Sequence, residues 1–101
     1  MSEIRLPGGE IAFDPRGEVE MSPIRPAARV GSIDGLRLAV LDNTKWNANR
    51  LLKAVVEALG GEGRFASVRY WKKDSFSRAA TPEMLEEIRA GADVALVAVG
   101  D

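Results

Sequence analysis

From Leu36 onward the chain alternates three short apolar runs with two stretches of helical periodicity, and that alternation leaves few folds open. Leu36-Arg37-Leu38-Ala39-Val40-Leu41 is apolar enough to be a strand buried on both faces, entered through the turn residues Asp34-Gly35. Leu51, Leu52, Val55, Val56 and Leu59 then recur as one helical stripe, which Gly60-Gly61 closes. Phe65 to Trp71 alternates large apolar residues with small or charged ones, the pattern of a strand at a sheet edge. Thr81-Pro82-Glu83 combines a capping hydroxyl, a proline suited to the first helical position and a carboxylate for the helix dipole. A second helix is therefore predicted from about Pro82 to Gly91, with Met84, Leu85 and Ile88 as its apolar face. The run Ala92 to Val99 supplies a third buried strand.

Strand, helix, strand, helix, strand favours parallel pairing, because each helix returns the chain to the same end of the sheet. The expected fold is α/β, a small Rossmann-like three-layer βαβαβ core with sheet order 2-1-3 and one helix on each face. In that order the direction of winding switches between strands one and three, so the loops that follow Leu41 and Val99 meet there. Such a core is thin. A body of about 65 residues buries a small share of its surface, which predicts a fold that is marginal alone, dimerises, or continues into further chain. The apolar edge at Val94 to Val99 points the same way.

Residues 1–35 read differently and form an extended arm ahead of a domain at 36–101. They hold four of the five prolines, Pro7, Pro15, Pro23 and Pro26, and proline can neither donate to a sheet ladder nor sit inside a helix. Glu3-Ile4-Arg5-Leu6 and Glu10-Ile11-Ala12-Phe13 flank Pro7-Gly8-Gly9, which suggests a hairpin. Beyond it the arm is expected to run across the domain surface, anchored by Ile24 and Val30.

Composition removes most chemistry. Cysteine and histidine are both absent, which excludes thiol nucleophiles, disulfides, thiolate metal sites and imidazole acid-base work. No metal site is expected. Fourteen Lys plus Arg against fifteen Asp plus Glu gives a net charge of -1, so no overall field draws the chain to nucleic acid or an anionic membrane. The first residues form neither a secretory nor a transit leader, and no run approaches the ~18 apolar residues of a membrane span; a cytoplasmic protein is the expectation. No phosphate loop, dinucleotide fingerprint or nucleophile elbow occurs, so the residues support no specific reaction.

The polar stretch Asp42-Asn43-Thr44-Lys45-Trp46-Asn47 follows the first strand, where α/β sheets place their ligands. Asp42, Asn43, Thr44 and Asn47 are equally good turn and cap residues, Lys45 and the pair Lys72-Lys73 suit a solvated surface, and Trp46 and Trp71 suit packing.

Leu41-Asp42-Asn43-Thr44-Lys45-Trp46-Asn47, continuing to Leu52, resembles the Leu-Asp-Asn-x-Lys-x-Asn stretch of the UGSC family of selenoproteins and their cysteine homologues. The resemblance spans about Gly35 to Asp101. In that family an apolar strand leads into Gly-Asp, matched here by Gly100-Asp101, and selenocysteine or cysteine followed by Gly-Ser-Cys comes next. It implies that the chain is the amino-terminal scaffold of a selenocysteine or cysteine enzyme of redox or selenol-substitution type, with its nucleophile expected after Asp101, where UGA encodes selenocysteine. No catalytic residue is then present, no cofactor is expected in this chain, selenocysteine is expected in the full-length parent, and these residues alone are inactive.

The same resemblance implies an anion or substrate site at Asp42, Asn43, Lys45, Asn47, Gly100 and Asp101. The Lys45 ammonium would stabilise a selenolate or a substrate carboxylate, with Asn43 and Asn47 donating to the same anion. The alternative is a non-catalytic α/β module that binds a small anion or another subunit, completed by homo-oligomerisation or by a separate chain.

Overall fold

The computed structural model describes residues 2–17 and 22–100. Two antiparallel strands, β1 (Ser2–Arg5) and β2 (Ile11–Asp14), form the expected hairpin, paired from Ser2 with Asp14 to Arg5 with Ile11. Its apolar residues Ile4, Leu6, Ile11 and Phe13 are exposed and belong to neither core cluster. The expected anchors do not form: Ile24 is 82% exposed and Val30 48%. Ile33 packs instead, at the point where the Gly35 amide donates to the Arg64 carbonyl and fixes the approach to the sheet.

Three parallel strands follow, β3 (Arg37–Asp42), β4 (Ser67–Lys72) and β5 (Val94–Ala98), in the order β4-β3-β5. The first strand of the body is thus central, paired from Arg37 with Ser67 to Asp42 with Lys72 on one side and from Leu38 with Val94 to Asp42 with Ala98 on the other. The predicted second strand begins two residues late. Phe65 closes a short 3₁₀ turn at Gly61–Gly63 by donating to the Gly61 carbonyl, and its ring enters the core rather than the ladder.

Helix α1 (Ala48–Ala58) joins β3 to β4, and α2 (Pro82–Gly91) joins β4 to β5. Chain reversal after α1 falls to Gly60, at φ 107, where a Cβ would lie 2.9 Å from that of Arg64. Thr81 caps α2 as predicted, its hydroxyl accepting from the Met84 amide at 3.2 Å.

Alternation along β3 divides its side chains between two apolar clusters. Leu38 and Val40 pack with Leu52, Val56 and Phe65 and, around them, with Val94, Leu96 and Ala98 of β5. On the other face Ala39 and Leu41 pack with Trp71 and with Ala80, Met84, Ile88 and Ala92. Each helix therefore covers half of its face. Helix α1 sits over β3 and β5, leaving Tyr70 of β4 half exposed, whereas the α2 side covers β3 and Trp71 of β4 and leaves Ala95 and Val97 of β5 open. Not all of the α1 stripe is buried: Leu51 points to solvent, Val55 and Leu59 are half-buried, and Leu52 and Val56 carry the packing.

The amino ends of the central and outer strands are fastened by charge. Asp93 accepts from the Arg37 amide and guanidinium at 2.9–3.2 Å, and the Arg37 guanidinium holds its carboxyl below the ordinary carboxylate value. Asp34 is lowered likewise by Arg64, with Ser32 assisting. No helix among the described residues is long and apolar enough to cross a membrane.

Candidate functional site

β3 runs out on Asp42, whose side chain turns the chain by accepting a 2.7 Å bond from the Thr44 amide. The Thr44 hydroxyl donates to the Asn43 carbonyl at 2.6 Å. Thr44 and Asn47 both lie in the left-handed region, at φ 65 and φ 63. Asparagine tolerates that conformation; a β-branched threonine there is unusual and is held by its two local bonds. Asn47 occupies the N-cap position of α1, but its side chain makes no capping bond, so the expected local role is carried by its carbonyl, which accepts from the Leu51 amide at 3.0 Å.

Asn43 does more than turn the chain. Its amide nitrogen donates to the Ala98 carbonyl at 2.8 Å, extending the β3–β5 ladder, and its side-chain Nδ2 donates to the Val99 carbonyl at 2.8 Å. Its Oδ1 accepts from the Lys73 ammonium, while the Lys73 amide donates to the Asp42 carbonyl at 3.0 Å. One half-buried side chain therefore ties together the carboxyl ends of all three parallel strands, and the loops after β3 and β5 meet as the sheet order requires.

On the α1 side of this clasp, Asp42, Thr44, Lys45, Trp46 and Asn47 line a hollow of about 380 Å³ together with Asn49, Arg50 and Lys72. The Lys45 ammonium stands 4.2 Å from the centroid of the Phe76 ring, a cation–π contact that steadies a half-buried lysine. Arg50 and Lys72 have no carboxylate partner among the described residues, whereas Arg37, Arg64, Arg69 and Arg89 each face one. The hollow thus carries three cations against the Asp42 carboxylate.

Of the sequence-predicted residues, Asp42, Lys45 and Asn47 share this hollow. Asn43 is instead spent on the clasp, with one Nδ2 hydrogen left to offer. Gly100 is exposed at the end of β5 and is not part of the hollow's lining, and Asp101 lies outside the described residues. Trp46 is 90% exposed, so it is no packing residue, whereas Trp71 is buried and donates from Nε1 to Glu87 at 2.9 Å. Lys73, half of the pair that suits a solvated surface by sequence, instead joins the clasp. The signal that could have found it is a lysine directly beyond a strand end, beside a polar loop.

Among the described residues no group of three or more carboxylate, histidine or cysteine side chains could hold a metal ion. A search of curated proteins and one of solved structures each gave no match. The sequence model of the UGSC family matches residues 11–101, beginning inside β2 and thus reaching further into the arm than the loop resemblance did. With nearly the whole length matched, the chain belongs to the UGSC family.

Proposed function

We propose that this chain is the scaffold and anion-binding loop of a selenol- or thiol-dependent enzyme of redox or selenol-substitution type, built on a Rossmann-like three-layer core. The observation that carries the reading is the Asn43 clasp. It brings the loop bearing the family-like Asp-Asn-Thr-Lys-Trp-Asn stretch against the end of β5, where Gly100 leads toward the position expected of the family's selenocysteine or cysteine. A nucleophile there would follow Asp101 in the full-length parent.

The chemistry suits the place. A selenol is ionised at neutral pH, whereas a free thiol with a pKa near ~8.5 needs a neighbouring cation. Lys45 is the residue proposed to stabilise that anion or a substrate carboxylate, with Asn47 and the remaining N–H of Asn43 as donors, and Gly100 and Asp101 leading the backbone into the nucleophile. Asp42 fixes the loop rather than binding the anion. A cytoplasmic home belongs to this reading, since a reducing compartment keeps a selenol or thiol nucleophile from being oxidised.

Two measurements test it. An in-frame UGA or cysteine codon after that of Asp101, followed by Gly-Ser-Cys codons, is expected; UAA or UAG at that point would sink the proposal. In a chain extended through that motif with cysteine, Lys45→Gln should raise the thiol pKa and slow alkylation at neutral pH, and an unchanged pKa removes Lys45 from its role.

A second reading rests on one exposure. Val97 is 58% exposed on the half of the sheet that α2 does not cover, which suits a non-catalytic module completed by a second copy or a separate subunit. Native mass spectrometry separates the two, since a stable dimer or heteromer without thiol chemistry favours the second.

A further inference from the structure

We infer that the groove between α1 and β4 binds a small organic anion with a flat ring, its charged group meeting Lys53 and Lys72 and its ring lying on Tyr70. The groove exists because α1 packs over β3 and β5 and, beyond Val68, leaves the carboxyl half of the α1 side of β4 uncovered. Asn49, Leu52 and Lys53 of α1 form one wall, Tyr70 and Lys72 of β4 the other, and Asp42 the end, of an open groove of about 380 Å³. That volume lies within the range of small-ligand pockets, roughly 300 to 1,000 Å³.

The lining chooses the class of ligand. Tyr70, 49% exposed, offers a ring face, and Leu52 closes the apolar side. Lys53 and Lys72 have no carboxylate partner among the described residues, although the chain as a whole is slightly acidic and Arg37, Arg64, Arg69 and Arg89 each face a carboxylate. Asp42, the acidic member, has one oxygen already on the Thr44 amide, so the groove's free cations outnumber its carboxylate two to one. A neutral ring would leave both ammonium groups unanswered, and a bare inorganic anion would leave Tyr70 unused.

The groove shares Asp42, Asn49 and Lys72 with the hollow beside Lys45 but requires no nucleophile, so loss of ring binding here and an unchanged thiol pKa in Lys45→Gln are separate readouts. The test is an amide-resolved NMR titration of the 101-residue chain with phenyl phosphate, benzoate, inorganic phosphate and benzyl alcohol. Phenyl phosphate or benzoate should shift the Asn49, Lys53, Tyr70 and Lys72 amides and bind about tenfold tighter than inorganic phosphate or benzyl alcohol. The tighter of the two ring-bearing probes identifies the anionic group as phosphate or carboxylate. Lys53→Gln with Lys72→Gln should weaken that binding about tenfold, two exposed charges contributing modestly each. Tyr70→Ala should remove the advantage of the ring while leaving inorganic phosphate unaffected. Circular dichroism confirms that the variants fold, which their exposed positions favour. Shifts outside the groove, equal affinity for ring-bearing and ring-free anions, or an unchanged double variant would each overturn the inference.

Discussion

Replacing Asn43 with alanine tests the clasp that organises the candidate site. The substitution removes the 2.8 Å donor to the Val99 carbonyl and the acceptor of the Lys73 ammonium, while the backbone bond to Ala98 survives. A half-buried carbonyl that loses its partner accounts for about 1 kcal/mol, and the charge-assisted bond to a partly solvated lysine for about 1 more. A loss of about 2 kcal/mol is expected in urea unfolding followed by circular dichroism, with the slope unchanged. In a domain of this size that corresponds to a fall in Tm of about 8–16 °C. The loss should be local as well as global, so the amides around Val99 and Gly100 should exchange faster than those of α2. Asn43→Asp keeps the acceptor for Lys73 but sets a second carboxylate oxygen against the Val99 carbonyl, so its cost should be at least the ~1 kcal/mol of the lost donor. A loss below about 0.5 kcal/mol for Asn43→Ala would mean that the strand ends are held by the backbone ladder alone, and the reasoning would fail.

Other perturbations have equally definite outcomes. Asn47 is at φ 63 with no capping bond, so Asn47→Gly should leave stability within about 0.5 kcal/mol and Asn47→Ala should cost about 1, both by urea unfolding. Leu52, 1% exposed at the centre of the α1 cluster, should cost about 3 kcal/mol as Leu52→Ala, and a loss below 1 would mean that α1 is not seated as described. Asp93 has a folded-state pKa below its ordinary 3.8, set chiefly by the Arg37 side chain and then by the Arg37 amide. Its contribution is therefore complete above that value and disappears as pH falls through the lower, folded one. As pH falls below about 4 the urea midpoint of the wild type should drop more steeply than that of Asp93→Asn; parallel curves would show that the Arg37–Asp93 pair is not felt.

The elements of the body were legible because each rests on a local rule. The Leu52–Val56–Leu59 spacing, the Thr81 cap and the apolar run at Val94 mark a helix, a helix start and a strand without reference to anything distant. Sheet order was legible for a topological reason, since a thin three-stranded core with one helix per face places its first strand in the middle. Local rules failed where a neighbour competed. Phe65 carries strand-like character, yet the 3₁₀ turn takes its amide and the core takes its ring. Ile24 and Val30 join neither core cluster among the described residues, and hydrophobicity alone does not make an anchor.

The site was legible as a loop and not as an arrangement. Asp-Asn-Thr-Lys-Trp-Asn announces itself by polarity after a buried strand, but all its members suit the same turn chemistry, so sequence cannot say which side chain fastens the loop and which faces the hollow. That division depends on Val99 and Lys73, 56 and 30 residues from Asn43, which reach it only through the parallel register. The groove at Tyr70 was hidden for a related reason. Periodicity shows that α1 has an apolar stripe, and alternation shows that β4 has an inward face, yet neither tells which two strands the stripe will straddle. In this fold α1 is offset toward β5, and the vacated half of β4 is where an aromatic ring and two lysines without a carboxylate partner among the described residues come together. An amphipathic helix over three strands cannot cover them all equally, so the direction of its offset decides where the sheet is left open to a ligand.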